Sequence, residues 1–444
     1  MAATDGEAGL EAFFALMHNE GGIIVQGASR FERLLLIGQC SPSLCVDSLK
    51  AAVIEAKKGK DVRRYREAWN YMRVAAPNDA LAQLDKKWID ATEAANTAET
   101  KHLEKELKAY KNNLVKESIR MGHEELGKHL QSIGDLAGAA EAYNRMRPDV
   151  STPKHIVDVG KHLVSVAIER RDWPGAVGHL NKVTGLQGSE EDKSYLPYLR
   201  SMTGLAYLGQ SKYLTAAKLF LEVESSVSIA KVTGGMMTGN DVAVYGGLLA
   251  LASMDRKDLQ TKVLENSRFR SYLELEPHIR RAIAQFVNGR YAACLSILAS
   301  YRPDYLLDLY LQKHVSTLYE QIRVKCISQY LIPFSCVTLA SMDAAFAEPG
   351  GSVEEELATM IRDSVIDARI DSINRLVVTT KENPRVKMQR QGLDAFTAFN
   401  KEATERIRRM SLLAADLGVK GPRRQHAAMP DVSDSWYESS VNET

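Results

Sequence analysis

Residues 126–143 read LGKHLQSIGDLAGAAEAY and carry the clearest structural signal in the chain. The turn signal Gly134-Asp135 separates two stretches in which apolar and small residues recur at helical spacing. Gly127 lies twelve positions before Ala139, and Tyr143 follows in the second stretch. Small residues let two antiparallel helices approach closely, and a large side chain fills the space beside them. The stretch therefore predicts a helical hairpin.

The turn-and-helix pattern of Gly134-Asp135-Leu136-x-x-Ala139 recurs along the chain. Further copies begin at Arg171, Ser211 and Gly289, and a degenerate copy lies near Lys257-Asp258-Leu259. The small residues of the four good copies stand 37, 40 and 78 positions apart, at Ala139, Ala176, Ala216 and Cys294. A period of this size indicates a solenoid of tetratricopeptide-like helical pairs, although the usual repeat is about 34 residues.

Composition excludes several functional classes. The formal net charge of +1 on 444 residues gives no long-range field to attract nucleic acid or an anionic membrane. The chain has no run of about 18 uninterrupted apolar residues that would predict a membrane span. Asp5, Glu7 and Glu11 do not fit a signal peptide, so the chain is expected to stay inside the cell.

No catalytic, cofactor-binding or metal-binding residues are predicted. Five cysteines are mostly isolated, and Cys40 and Cys45 have no nearby partners for a zinc site, which favours buried free thiols. The ten histidines show no metallopeptidase spacing. The glycine-rich segment 234–239 lacks the ending of a phosphate-binding loop.

The pattern changes after residue 330. Ser335 to Ala347 predicts a short helix pair, and Ser352-Val353-Glu354-Glu355 predicts a capping box that starts a helix ending near Ser364. The β-rich segments 368–372 and 376–380 then predict a hairpin, and helices followed by a small hairpin predict a winged helix. Beyond Pro384 a long helix is expected to about Leu417.

The predicted fold class is an all-α helical-repeat (tetratricopeptide-like) solenoid, followed by a winged helix with a small β-hairpin and a C-terminal helix. A long charged helix is expected from about Glu99 to Arg120. The predicted regions are an N-terminal helical region 1–98, repeats 99–221, a domain 222–385 with the winged helix at about 331–380, a bundle helix 386–417 and a disordered tail 418–444.

This order of parts resembles the PCI family, which is shared by subunits of the proteasome lid, the COP-nine signalosome and a translation initiation factor. The stretch NDVAVYGGLLALA at residues 240–252 is similar to the signalosome branch of the family, as are residues 114–127, 255–260, 273–277 and 368–372. The proteasome lid branch shares the layout but is less similar over Tyr245-Gly246-Gly247. Residues before 100 and after 418 match weakly.

The resemblance implies a PCI domain and a non-catalytic scaffold subunit. Its complex would remove the ubiquitin-like modifier Nedd8 from cullins and so regulate cullin-RING ubiquitin ligases, with the zinc metallopeptidase site in another subunit. The implied partners are the other signalosome subunits directly and the cullin-RING ligases indirectly, in cytoplasm and nucleus. A scaffold of the proteasome regulatory-particle lid is the alternative.

Two surfaces are predicted to contact other subunits. A winged helix has a sheet edge that a partner strand can extend, and the expected edge is Leu376, Val377 and Val378 with Ile370 packed behind it. The C-terminal helix is expected to present an apolar stripe formed by Phe396, Phe399, Ile407, Met410, Leu412 and Leu413.

Nucleic-acid binding is the competing interpretation of the winged helix. Residues 381–424 are rich in Lys and Arg, which favours it. However, the segment from Ser352 to Ser364, expected to act as the recognition helix, has Glu354, Glu355, Glu356 and Asp363. Phosphate would repel so acidic a helix, and protein contact is therefore favoured.

Overall fold

Helices account for most of the described chain, as the periodicity predicted, and the predicted fold class is confirmed. The computed structural model describes residues 28–113, 115–150, 152–185, 195–224, 228–347, 351–379 and 384–417. The chain divides between residues 379 and 380 into two compact units. The predicted disorder of residues 418–444 lies outside the described residues, as does the first part of the N-terminal region, 1–27.

Antiparallel helical hairpins follow one another through the first unit. The helices before residue 222 are α1 (Ala28–Cys40), α2 (Cys45–Lys58), α3 (Val62–Ala75), α4 (Lys86–Asn113), α5 (Lys116–Ser132), α6 (Leu136–Arg145), α7 (Pro153–Glu169), α8 (Trp173–Thr184), α9 (Leu196–Gly209) and α10 (Tyr213–Leu221). Those up to residue 331 are α11 (Ile229–Val232), α12 (Gly239–Ser253), α13 (Arg256–Asp258), α14 (Ser267–Leu275), α15 (Pro277–Val287), α16 (Tyr291–Leu306) and α17 (Val315–Leu331).

All four good copies of the sequence pattern form the same turn. Their first residues have left-handed φ values of 83°, 59°, 61° and 76°, at Gly134, Arg171, Ser211 and Gly289. In each turn the next residue donates its amide to the carbonyl five positions back, at 2.8–2.9 Å. These bonds satisfy carbonyls at the end of the preceding helix. The predicted hairpins α5–α6, α7–α8, α9–α10 and α15–α16 are therefore confirmed.

The degenerate copy near Lys257-Asp258-Leu259 does not form this turn. Asp258 has φ −63° and lies within a helical segment, and a π-helix follows it at Leu259–Leu264. Leu259 and Val263 on this segment are buried. The segment keeps its packing role without the repeat geometry.

Glycines set the distance between the paired helices. A Cβ on Gly127 would lie 2.5 Å from Cε1 of Tyr143 across the α5–α6 hairpin. The Tyr143 ring is fully buried and stacks on His162 with 4.7 Å between ring centroids. Gly204 and Phe220 repeat this arrangement in α9–α10, where a Cβ would lie 3.0 Å from the ring. The predicted contact of a small residue with a large side chain thus occurs in two repeats.

Helix α12 is the buried centre of the first unit. Residues from Gly239 to Ala252 on it are all buried. Thr238 and Asp241 form a capping box at its start, a T-x-x-D signal that the sequence analysis missed. Gly246 and Gly247 face Phe269 and Ile279, and a Cβ would lie 2.8 and 2.2 Å from these two side chains. In the stretch Tyr245-Gly246-Gly247, the neighbouring side chains therefore leave no room for a Cβ at either glycine.

The charged helix predicted from Glu99 to Arg120 is wrong in its limits. Helix α4 begins earlier, at Lys86, and ends at Asn113, and α5 begins at Lys116. The chain must turn here because α4 and α5 pack against each other as a hairpin. A surface turn that includes Pro42 and Ser43 joins α1 and α2.

The winged helix contains a strand that the sequence did not predict. Its elements are β1 (Cys336–Thr338), α18 (Leu339–Phe346), α19 (Glu354–Arg362), β2 (Ala368–Asp371) and β3 (Leu376–Thr379). The predicted hairpin is confirmed as β2 and β3, but Ser335 to Ala347 forms one strand and one helix instead of a helix pair. Three residues are too few for a detectable alternation, and cross-strand pairing alone makes them a strand.

The capping box predicted at Ser352 is also wrong. Helix α19 begins at Glu354 after Val353, which has no side chain able to cap it. Ser352 Oγ accepts from the amide of Glu354, and the Val353 amide donates to Asp343 Oδ1 at 2.8 Å. The hydrogen bond to Asp343 of α18 occupies the Val353 amide, and α19 begins at the next residue, Glu354.

The second unit is the helix α20 (Pro384–Ala414). The helix expected beyond Pro384 is confirmed, and it ends three residues before the predicted Leu417.

We expect Gly127→Ala to lower the thermal unfolding midpoint. The added methyl overlaps a Tyr143 ring that has no free space to move into, and overpacking of a core costs about 1–3 kcal/mol. Gly178→Ala is the matched control, because nothing lies within 4 Å of its Cβ position on α8. Removing this exposed helical glycine should stabilise the chain by up to about 1 kcal/mol. Equal midpoints for the two variants would contradict the close approach.

Candidate interaction surfaces

The three strands form an antiparallel sheet in the order β1-β3-β2. Val377 lies opposite Val337 on one side and opposite Ile370 on the other. The prediction that Leu376, Val377 and Val378 form a free edge is therefore wrong, since β3 is the central strand and is paired on both sides. The error follows from the missed strand β1, which covers the side of β3 that the hairpin alone would leave open.

The two faces of the sheet differ in burial. Val337 and Val377 are buried, and Ile370 packs beside them against the main core. Their neighbours Cys336, Val378 and Arg369 form a second cross-strand row that is exposed. This alternation is that of a sheet with one face on the core.

Among the described residues, the strands at the two open edges of the sheet are β1 and β2. The amide of Leu339 donates to Arg375 O and that of Thr379 to Ser335 O, both at 2.9 Å, which fixes the phase of the β1–β3 ladder. Because bonding alternates along an antiparallel pair, Thr338 directs its backbone groups away from β3, and so does Ile370 on β2. These outward groups are the ones that a partner strand can pair with.

A rigid turn at the tip of the β2–β3 hairpin holds one apolar side chain in solvent. The Asp371 carboxylate accepts from the Ile373 and Asn374 amides, and its second oxygen accepts from Asn374 Nδ2 at 2.8 Å. These hydrogen bonds lower the pKa of Asp371, and the largest contribution comes from the side chain of Asn374. Ile373 is 92% exposed, and Val365 just before β2 is half exposed. The β2 side of the sheet is therefore bordered by exposed apolar groups.

The acidic helix of the winged helix is α19. Its Glu356 is held by Arg323 of α17, with 2.8 Å between Oε1 and Nε, while Glu355 is exposed. The ion pair neutralises Glu356, so the acidic charge of α19 that disfavours phosphate contact is smaller than the sequence indicates.

The apolar stripe of α20 is exposed. The side chains of Phe396, Phe399, Ile407, Met410 and Leu413 are 63–75% accessible. Leu412 does not belong to the stripe, since sixteen residues after Phe396 a helix has turned to about 160° from it. Its inclusion in the predicted stripe is wrong, because the prediction followed composition and not the helical angle.

A buried polar cluster joins the N-terminal helices to the region before the winged helix. The guanidinium of Arg33 on α1 lies 3.0 Å from Asp241 Oδ2 on α12, and both side chains are almost fully buried. Tyr245 on α12 donates to Asp308 at 2.8 Å, and Asp308 also accepts from the Leu311 amide at 2.7 Å. The cluster connects segments more than 200 residues apart, and local sequence patterns cannot predict such a contact.

Burial shifts the pKa values of several groups in and beside this cluster. It raises the pKa of Asp308 and raises that of Glu276 to about 7, although Asn240 Nδ2 donates to Glu276 at 2.7 Å. Burial also lowers the pKa of His278 to about 4. Burial has these effects because the charged form of a group is less stable in a low-dielectric site than its neutral form.

The cluster leaves no room for a substrate. The cavity between Asn240, Tyr245, Glu276, Tyr305 and Asp308 has a volume of about 10 Å³. That is about the volume needed for one water molecule. Perturbed acids often mark active sites, but these are enclosed and paired, so their arrangement fits a structural role.

The cysteines and acidic groups of the described ranges show no metal site. Cys294 and Cys326 are buried free thiols, whereas Cys40 is exposed and Cys45 is partly exposed. The expectation that Cys40 and Cys45 are buried is therefore wrong, as they flank the surface turn between α1 and α2. Among the described residues, no three His, Cys, Asp or Glu side chains are grouped to hold a metal ion. None of the described helices is long and apolar enough to cross a membrane.

Helical pairs that lead into a three-stranded winged helix define a PCI-domain protein, and residues 298–381 match the PCI domain. Residues 85–262 match the family described as 26S proteasome subunit RPN7. Among proteins of known name, the chain is 51% identical to COP9 signalosome complex subunit 1 of Neurospora crassa, over 93% of this chain and 94% of the relative. It is therefore a member of the COP9 signalosome complex subunit 1 family.

More distant relatives carry the same name. The protein of Emericella nidulans is 45% identical over 89% of this chain and 81% of the relative. That of Arabidopsis thaliana is 34% identical, with 90% of each chain covered. The similarity thus extends across the array and the winged helix.

We expect the stability of the chain to depend on Glu276 between about pH 4.5 and pH 7. The ordinary pKa is 4.5 and the folded one about 7, so the folded state binds this proton more tightly. The stabilisation is complete below about pH 4.5 and is lost as the pH rises through 7. At pH 8, Glu276→Gln should therefore raise the free energy of unfolding by up to about 3 kcal/mol relative to the wild type. Its thermal unfolding midpoint should rise accordingly.

The exposed Glu104 on α4 provides the control. Glu104→Gln should leave the pH dependence of the unfolding midpoint unchanged, as measured by circular dichroism from pH 5 to pH 8. A Glu276→Gln curve parallel to the wild type would show that the acid is ionised in the folded chain.

Proposed function

We propose that this chain is a non-catalytic scaffold subunit of the COP9 signalosome, a complex that removes Nedd8 from cullins and so regulates cullin-RING ubiquitin ligases. The observation that carries the proposal is the 51% identity to a protein of this name over nearly the whole of both chains. The catalytic metallopeptidase site then lies in another subunit. In this view the chain acts in cytoplasm and nucleus and needs no cofactor, small-molecule substrate, nucleic acid or membrane.

The surfaces of the chain suit a scaffold. In the described ranges the winged helix has two strand edges without a pairing strand, and the β2 edge is bordered by the exposed Ile373 and Val365. We favour this edge for β-augmentation, because backbone pairing gives affinity and apolar neighbours add buried area. Ile370, with backbone groups that point outward, takes the place of Leu376, Val377 and Val378 as the pairing position. The apolar stripe of α20 is the second contact, with the helices of other subunits.

We assign a separate role in assembly to each proposed region of the chain. The proposed regions are an N-terminal helical region to residue 98, repeats at 99–221, a PCI domain at 222–385, a bundle helix at 386–417 and a tail beyond it. The repeats support the PCI domain, and the β2 edge of that domain forms one contact with another subunit. The bundle helix forms a second contact with other subunits. Cullin-RING ligases are reached through the assembled complex.

A scaffold of the proteasome regulatory-particle lid is the second candidate, since residues 85–262 match the proteasome subunit RPN7. That match covers fewer residues than the similarity to the signalosome subunits, which spans the array and the winged helix. The signalosome is therefore the better supported complex.

Affinity purification of the tagged chain from its own cells tests the function. We expect a complex that contains a zinc metallopeptidase subunit and that strips Nedd8 from a neddylated cullin in the eluate. Recovery of the ATPases of the proteasome would move the assignment to the lid. A chain recovered without partners would refute both scaffold proposals.

Ile370→Pro tests the β2 edge in the same purification. Proline removes an outward N–H that the sheet does not use, and edge strands tolerate it. We expect the variant to fold but to lose most of the partner subunits. Ile370→Ala is the control, as it removes the same side chain and keeps the N–H. If both variants recover the complex to the same extent, the edge is not used.

A further inference from the structure

A groove opens between α7 and α8 of the repeat array. It has a volume of about 340 Å³, and its floor is apolar, formed by Val159, Gly160, Leu163 and Val183. The two helices lie close together under the floor, because a Cβ on Gly160 would lie 2.2 Å from Cγ2 of Val183. Pockets for drug-sized ligands measure about 300–1,000 Å³, so this groove is at the small end of that range. Its size suits one or two side chains of a bound peptide.

The rim of the groove is formed by cationic and imidazole groups. Arg147, from the connection between α6 and α7, lines it together with His179 and Lys182 of α8. Arg147 donates from Nη2 to Nδ1 of His179 over 3.3 Å, since a guanidinium has no acceptor. Within the described ranges, no carboxylate forms an ion pair with any of these three side chains. The positive charge of the rim is therefore not neutralised by the residues that surround it.

The electrostatic surroundings of His179 agree with this description. Burial lowers the pKa of His179, and the charges of Arg147 and Lys182 lower it further. Asp172 acts in the opposite direction and is the smallest of these influences. A carboxylate that enters the groove would meet Arg147 and Lys182, both of which are exposed and have no ion pair to break. The guanidinium also has the donor geometry that matches a carboxylate.

The floor and the rim together define the occupant. An apolar floor binds a large aliphatic or aromatic side chain, and the rim binds a carboxylate beside it. Nucleic acid fits less well, because a phosphate backbone has no apolar side chain to fill the floor. We propose that the groove between α7 and α8 binds a linear segment of another protein in which Asp or Glu stands beside a large apolar residue. This site uses neither the β2 edge nor α20 and goes beyond the proposed scaffold function.

Peptide display on the full-length chain tests the chemistry of the occupant. Random peptides displayed on phage are selected on the wild type and on the double variant Arg147→Glu/Lys182→Glu, in which only exposed side chains change. We expect the wild type alone to enrich sequences with Asp or Glu next to Leu, Ile, Met or Phe. Enrichment of the same sequences by both proteins, or of no sequence by the wild type, would overturn the proposal.

Fluorescence anisotropy with one enriched peptide measures the contribution of the rim. The double variant should bind this peptide roughly tenfold or more weakly, because two attractive charges become repulsive. Arg170→Glu/Lys218→Glu is the matched control, since both residues are exposed, lie outside the groove and change the net charge equally. Circular dichroism checks that both variants unfold at the wild-type temperature. Equal losses of affinity would show that binding follows net charge, and tighter binding of polyuridine RNA than of the peptide would refute a protein ligand.

Photo-crosslinking in cells distinguishes another protein from the remaining occupants. p-Benzoylphenylalanine replaces Ile156, a groove residue that is 37% exposed. The crosslinked peptide should come from another protein and contain an acidic residue beside an apolar one. In the Arg147→Glu/Lys182→Glu background its yield should fall roughly tenfold. Crosslinks to a second copy of this chain or to other residues of the same chain, or a yield that the double variant leaves unchanged, would contradict the proposed occupant.

Discussion

The other main features of the molecule follow from the close approach of its antiparallel helices. Gly127 and Gly204 leave space for the rings of Tyr143 and Phe220, and a left-handed residue at each turn reverses the chain in few residues. Each hairpin buries only part of its apolar surface by itself, so it must stack on the next one. The order of the helices along the chain thereby becomes their order in the array.

The same constraint is strongest at α12. With Gly246 and Gly247 against Phe269 and Ile279, this helix is enclosed on every side and its polar groups must find partners inside the protein. Asp241 finds Arg33 of α1. A buried ion pair adds little net stability, but the loss of one partner would be costly, so the pair fixes where the N-terminal helices can lie.

Surfaces that the fold leaves open are those of an assembly component. Within the part of the chain that the structure describes, the sheet has two unpaired edges, and α20 exposes large apolar side chains from Phe396 to Leu413. Exposed apolar area of this extent and free strand edges favour association in water. A subunit that is always bound can keep such features, which ties the physical character of these surfaces to the scaffold function that we propose.

The helical repeats, the β2–β3 hairpin and the long last helix could be predicted from the sequence, because local periodicity and turn residues such as Gly134 encode them. The sequence did not encode β1 locally, since its three residues become a strand only by pairing with β3, and the sheet edge was therefore predicted wrongly. Nor did it determine the contact of Arg33 with Asp241, since burial and long-range pairing depend on how the array closes. Long-range contacts in the folded chain therefore select which groups are paired and which remain open to a partner.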